Sequence, residues 1–274
     1  MTVMDTIHEL DLEEWRRASA AVAKGRIIEL GRVFQTQMPH YPTHPDFEVA
    51  LFRKHGDRVR GDGASSASCH WSFGGHTGTH IDALCHVSHC GAMFDGTPVD
   101  NERLERGEAD GDAAQLAPYI RRGVLFDIAA LNGVATLDGD HVVTADEMER
   151  AAHLHDLDVK PGDVALIRTG WARHWETGAY IAEETPGPGL NAGTWLADRC
   201  VGLVGSDTAV FEKGPVTEAA PVHRLMLMER RIHIMENLDL EGLAEAQVHS
   251  FLFLALPLRT RGATASPLRP VAVC

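Results

Sequence analysis

Five apolar runs constrain this chain more than any other feature of it. GVLFDIAAL (123–131), DVALIRTG (163–170), CVGLVGSD (200–207), RIHIMENL (231–238) and SFLFLALPL (250–258) are rich in branched and aromatic residues. Each is too short for a core helix, and runs of this length bounded by Gly, Asp, Asn or Pro read as buried strands. RIIELGRVFQ (26–35) adds a sixth, with Ile27, Ile28, Leu30 and Val33 as its apolar positions. Helical patterns are fewer. Asp11 is an N-cap with Glu14 completing a capping box and Gly25 as the stop; Thr144 with Glu147 caps a second helix through Leu154. Short helices are expected at 193–200 and 240–247. Strands and helices do not alternate strictly, so the expected fold is α/β with a mixed sheet and helices packed outside it.

A chain of 274 residues without internal repeats or low-complexity linkers is expected to be one domain, 1–274. Within it, residues 1–25 form a helical segment that is a candidate arm between subunits. The net charge of -14 repels polyanions, which argues against nucleic acid as a partner. No apolar stretch approaches the ~20 residues that span a bilayer, and residues 1–14 are acidic where a signal peptide is basic and then apolar. A cytoplasmic protein with no membrane partner is expected. The five cysteines contain no CxxC pair, which fits reduced thiols better than disulfides or a structural zinc site.

Chemistry concentrates between residues 69 and 90, which hold five of the sixteen histidines. Gly63, Gly74, Gly75 and Gly78 interrupt any helical period there, so these histidines are expected on loops and a short turn. His76-Thr77-Gly78-Thr79-His80-Ile81-Asp82-Ala83-Leu84-Cys85-His86 offers three imidazoles and a carboxylate in eleven residues. Such donors suit zinc, manganese or iron, and a catalytic site takes about three of them with a position left open for water. Gly78 is expected to let the backbone curl around the ion. Taken alone, His223 reads as a surface residue and Glu236 as a salt-bridged strand end; beside the first cluster both become candidate ligands. Cys85 reads as a buried, inert thiol, and His89 and Cys90 as bystanders.

HTGTHIDALCH resembles the HxGTHxDxxxH signature of the metal-dependent cyclase-like hydrolases, which include kynurenine formamidase and isatin hydrolase. The resemblance runs from about Ile27 to the end through MPHYP, DVALIRTGW, TWLADRCVGLVGSDT, HRLMLM, IMENL and ALPLRTRGATASPLRPVAV. It implies a partly barrel-like mixed sheet with peripheral helices, of the swivelling β/β/α type, assembled as a homodimer or tetramer. It implies that His76, His80 and Asp82 bind a divalent metal, Zn2+ or Mn2+. In two-metal members Asp82 also bridges to a second ion held by His223 and Glu236, so one or two ions are expected per subunit. His86 is implied as proton donor and acceptor. Leu84 stands where many members have proline, and the N-terminal helix and long middle region shift the likeness towards the isatin-hydrolase-like branches.

A bound divalent ion lowers the pKa of water from about 15.7 to as little as ~7 and polarises a carbonyl, so hydrolysis of a small amide, lactam or lactone is expected. His86 would shuttle the proton to the leaving nitrogen or oxygen. Tyr41, Trp71 and Phe73 flank the metal segments and are candidate walls for a small cyclic or aromatic substrate, with core packing as the alternative. Trp171 and Trp175 are expected to pack. No GxSxG elbow offers a competing nucleophile. Two rivals remain: a non-haem iron oxygenase using His80, Asp82 and His223, which needs O2, and a binding protein whose ligands saturate the ion.

Overall fold

Alternation along four parallel strands feeds two of the three cores among the described residues. The computed structural model describes His8, residues 11–215 and residues 220–274. Most of the acidic opening, and with it the reading of a missing signal peptide, therefore lies outside the described residues. The strands in chain order are β1 (Ile27–Glu29), β2 (Glu48–Arg53), β3 (Ser68–Ser72), β4 (His80–Asp82), β5 (Tyr119–Asp127), β6 (Val142–Val143), β7 (Val164–Arg168), β8 (Gly187–Pro188), β9 (Leu203–Ser206), β10 (His233–Glu236), β11 (Ser250–Ala255), β12 (Ala265–Pro267) and β13 (Val271–Val273). Nine of them form one curled sheet in the order β1-β13-β11-β5-β7-β9-β10-β4-β12. The centre, β5-β7-β9-β10, is parallel, and both flanks are antiparallel, as the mixed pattern of runs predicts.

Val124, Phe126, Ala165, Ile167, Val204 and Ile234 point into one core, while Leu125, Val164, Leu166, Leu203 and Met235 point into the other. Period-two alternation with both faces buried is why these strands read as continuous apolar runs. Short helices supply the covering layer: α1 (Leu12–Ala20), α2 (Asn101–Glu105), α3 (Ile128–Leu131), α4 (Ala145–Leu154), α5 (Leu190–Asp198), α6 (Pro221–His223) and α7 (Glu241–Glu245). A π-helical segment, Arg224–Arg230, continues α6. No helix among the described residues is long and apolar enough to cross a membrane.

The structure corrects several local expectations. β1 ends at Glu29, and Val33 lies beyond it, 76% exposed. α1 stops at Ala20; Asp11 caps it, but Glu14 turns away from the cap to pair with Arg121 of β5 at 2.9 Å, holding the helix against its own sheet. The run 123–131 breaks at Asp127, whose carboxylate caps α3. α5 starts at Leu190, three residues before the expected position. The stretch from 61 to 91 is not all loop, because β3 and β4 lie within it. β2 and β3 form a separate hairpin outside the nine-stranded sheet.

The capping box of α4 is present as read: the Thr144 hydroxyl accepts from Glu147 N, and the Glu147 carboxylate accepts from Thr144 N at 2.9 Å. Glu147 also takes hydrogen bonds from Asn132 and His141. Burial pushes its pKa up, but the bonds from Asn132 and Thr144 and the nearby His141 outweigh this and lower it below the usual glutamate value. The depressed pKa means that the ionised form stabilises the fold above the unfolded-state value, about 4.5, and that this contribution disappears as pH falls through the lower folded-state value. Glu147→Ala should cost about 1–2 kcal/mol in urea unfolding at pH 7. The deficit of Glu147→Gln relative to the wild type should shrink as pH is lowered below about 4.5.

Candidate metal centre

Register on the antiparallel flank assembles the site. In β4, His80 and Asp82 are two apart and share a face, while Ile81 turns into the core. Glu236 of β10 is the register partner of His80, and Ala265 of β12 is that of Asp82. His223 comes from the end of α6, and His76 from the turn before β4. His76, His80 and Asp82 form one group of converging donors and Asp82, His223 and Glu236 a second, with the ligand atoms of each within 4.8 Å of one another. Asp82 belongs to both. His223 is buried, contrary to its reading in isolation.

Each imidazole has one nitrogen tied down and the other turned inward. His80 Nδ1 donates to the Gly78 carbonyl at 2.8 Å, leaving Nε2 at 3.4 Å from an oxygen of Asp82 and from one of Glu236. His223 Nδ1 lies 2.7 Å from Glu212 Oε1, with Nε2 3.2 Å from Glu236 Oε1. His76 Nε2 is 3.0 Å from the Thr264 hydroxyl, and its Nδ1 is 2.9 Å from Asp82 Oδ1. Fixing the outer nitrogen selects the tautomer whose inner nitrogen can ligate.

Asp82 is fully buried, yet neither of its oxygens makes an aligned hydrogen bond, and His80 Nε2 makes none either. Buried carboxylates are costly without hydrogen bonds or a cation, and orphaned oxygens facing imidazole nitrogens are what a metal ligand set looks like. Burial disfavours charge on His80 and His223, but Asp82 and Glu236 beside the first, and Glu212 and Glu236 beside the second, raise both to about 10. Burial pushes Asp82 and Glu236 up, and the surrounding histidines pull both below the usual carboxylate range. Among the protein groups alone, the carboxylates hold positive charge on the site. The donor set fits a divalent cation.

His86 follows on a 3-10 turn, Leu84–His86, with its ring 4.1 Å from that of His76 and 6.3 Å from that of His223. It is exposed towards the cleft, and the surrounding protein, reinforced by His76 and His223, lowers its pKa from the ordinary imidazole value. A cavity of about 230 Å3 opens beside it, lined in part by Met93, Val99, Arg103 and Leu104. None of the three expected substrate-wall aromatics lines this cavity. Tyr41 has its ring 6.2 Å from that of His44, and burial and the Glu236 charge raise its pKa. Phe73 packs with Phe34 and Phe47, and Trp71 is exposed on β3. Cys85 is buried and its thiol pushed up to about 11, chiefly by that burial, while His89 and Cys90 turn to each other at the surface. Trp171 and Trp175 are buried in the core that contains Met38 and Tyr180.

Gly78 is required by its own backbone and by its neighbours. Its φ is +72°, and a Cβ there would sit 2.5 Å from the Met38 side chain and 2.9 Å from Phe34. Three further residues were not singled out by sequence reasoning. Glu212, buried, accepts from the backbone of Val222 and His223 as well as from the His223 ring. Asn237 donates to the Gly78 carbonyl and accepts from Tyr180, tying β10 to the His76–His80 turn. His44 has its ring 5.5 Å from that of His76 and a buried Nδ1 without a hydrogen-bond partner. Only His44 had a local signal, in the MPHYPTHP loop.

A curled mixed sheet with a buried histidine-carboxylate cluster beside the carboxyl ends of its parallel strands defines the class of protein. The Cyclase family model matches residues 28–213, and the chain belongs to this family. Cyclase-like protein 3 of Oryza sativa subsp. japonica is 27% identical over 262 residues, covering 91% of this chain and 80% of that one. Among solved structures, a crystal structure described as a novel cyclase is 25% identical with a TM-score of 0.86, covering 97% of this chain and 94% of that one. Isatin hydrolase A from Ralstonia solanacearum shares the fold at 24% identity and a TM-score of 0.71, covering 90% and 91%.

Glu212 predicts a measurable dependence of the site on a residue outside the two donor groups. Glu212→Gln should lower affinity for Zn2+ or Mn2+ by roughly 10–100-fold in competition titrations while leaving the circular dichroism spectrum unchanged.

Proposed function

We propose that this chain is a metal-dependent hydrolase that cleaves or opens a small amide, lactam or lactone. The observation that carries the reading is Asp82, a fully buried carboxylate with both oxygens unbonded and shared between two converging donor groups. His76, His80 and Asp82 would hold one ion, and Asp82, His223 and Glu236 a second. The bound ion supplies a Lewis acid for the substrate carbonyl and lowers the pKa of water towards ~7.

The remaining work belongs to the protein. The Gly78 carbonyl and Glu212 hold His80 and His223 in one orientation, so the donors are set before substrate arrives. His86 lies beyond both donor groups with its ring open to the cleft, placed to take a proton and return it to the leaving nitrogen or oxygen. The adjoining cavity suits a small molecule. Support for a cyclic amide comes from structural relatives described as isatin hydrolases, one of them bound to the product analogue thioisatinate at 20% identity and a TM-score of 0.68.

The test is acid release in a pH-stat, using metal-stripped protein re-supplied with Zn2+ or Mn2+, against isatin, N-formylkynurenine and small lactones under nitrogen. Metal-dependent acid release without O2 is expected. Turnover that stops without O2 would instead establish an oxygenase, and bound metal with no turnover of any substrate would leave a binding protein. His86→Ala should retain its metal and lose roughly 10²–10⁴-fold in turnover. Full activity in that variant would remove His86 from the reaction.

A further inference from the structure

The cavity beside His86 shares its floor with the donor cluster. That floor is His86 together with Thr264, whose hydroxyl lies 3.0 Å from His76 Nε2, so a bound molecule stands one hydrogen bond from the first donor group. Met93, Val99 and Leu104 make an aliphatic wall. Phe94 is the only Phe, Tyr or Trp between residues 87 and 111, and it follows a lining residue in sequence yet packs elsewhere. A Cβ on Gly111 would sit 2.4 Å from its ring, and the Arg231 guanidinium lies 5.5 Å from the ring centre. Among the described residues that line the cavity, no Phe, Tyr or Trp is present to stack on a planar substrate. The volume of about 230 Å3 is below the ~300–1,000 Å3 usual for sites that hold drug-sized ligands. Charge on the walls is mainly of one sign. Asp95, Asp100 and Asp110 stand against Arg103, which donates from Nη2 to the Glu108 carbonyl at 2.9 Å. The Thr97 hydroxyl at 2.7 Å and the Arg103 backbone at 2.9 Å hold Asp95 and Asp100 in place.

We infer, on the hydrolase reading above, that the substrate is a small uncharged aliphatic amide, lactam or lactone, and that this cavity selects against aryl and carboxylate-bearing analogues. The aliphatic wall buries a saturated chain or ring in proportion to its area and offers an aryl ring no stacking partner. A substrate carboxylate would meet three like charges and one opposite charge, in a chain whose net charge is -14. The same field acts on the product. Hydrolysis adds one water across the acyl C–N or C–O bond: the leaving nitrogen or oxygen takes a proton, and the acyl carbon ends as a carboxylate. The three aspartates repel that carboxylate and favour its release.

The test compares kcat/KM of the full chain loaded with Zn2+ or Mn2+ on matched pairs, each value divided by the substrate's own rate of hydrolysis in hydroxide. The pairs are γ-butyrolactone with phthalide, its benzo-fused counterpart, and N-ethylformamide with formanilide; the γ-carboxylate of γ-butyrolactone reads the charge. Low ionic strength is used, where exposed charges are least screened. In every pair that is turned over the aliphatic member should lead by roughly 10-fold or more, the scale on which a pocket separates substrates by fit. The carboxylated lactone should be slower than the uncharged one. Asp110 caps no helix and takes one side-chain bond, from Gln115 at 3.4 Å, so Asp110→Asn isolates its charge. That variant should narrow the gap between the two lactones by roughly fivefold, what one charge a few ångströms away is worth in water. Val99→Phe, with a native circular dichroism spectrum and wild-type metal content, should lower kcat/KM for the aliphatic members by roughly 10-fold or more. A preferred aryl member, a carboxylated lactone that outruns the uncharged one, or wild-type kcat/KM in Val99→Phe would overturn the inference and leave the hydrolase reading standing. Metal-loaded protein that hydrolyses no member of the panel, nor isatin or N-formylkynurenine, would remove both.

Discussion

The structure depends on where one carboxylate is put. Asp82 has no exposure to solvent and no hydrogen bond to either oxygen, a state that costs several kcal/mol unless positive charge surrounds it. The turn before β4, β4 itself and α6 bring His76, His80 and His223 around it, and β10 sets a second carboxylate, Glu236, opposite His80. The antiparallel pairings of β4 with β10 and β12 thus do chemical as well as structural work. A one-residue slip of β4 would turn His80 and Asp82 to the opposite face and put Ile81 into the cluster.

Behind the donors stands a set of residues whose only contact with the centre is through another residue. Glu212 takes three hydrogen bonds from the first turn of α6 and thereby fixes both the helix start and the His223 ring. Asn237 adopts a left-handed backbone conformation at the end of β10 and spends its side chain on Gly78 and Tyr180. His233 reaches the Asp82 carbonyl at 2.7 Å from the strand next door. Each ties a ligand-bearing segment to a rigid strand, and a site held in this way pays no ordering entropy when its ion or substrate arrives.

The first donor group was legible because it is local: HTGTHID places three candidate donors within seven residues, and no structure is needed to see the density. His223 and Glu236 were reached only through the family resemblance, since a lone histidine and a strand-end glutamate carry no pattern. Glu212 had no signal at all, because its partner is eleven residues away across a segment with no regular period. The long apolar strands were equally plain, because burial on both faces keeps most of their residues apolar. β4 was hidden by its brevity, three residues between Thr79 and Ala83, so its histidine was assigned to a loop. Of the expected aromatic walls, Trp71 and Phe73 lie near the metal segment in sequence, whereas in the fold Trp71 is exposed on β3 and neither lines the cavity beside His86.

That displacement connects the site to the hairpin. Phe73 packs edge to face with Phe34 and within 5.4 Å of Phe47, and Trp71 extends the stack to the hairpin's apolar face. At the other end, Phe34 and Met38 occupy the space that a Cβ on Gly78 would take, and the Gly78 carbonyl orients His80. A continuous row of aromatic contacts therefore runs from the exposed hairpin to the hydrogen bond that fixes a ligand. Close-packed interiors have low compressibility and transmit strain, so a change at the hairpin end of this row reaches Phe34 before it reaches His80. The missing Cβ at Gly78 is what allows the row to reach the ligand turn.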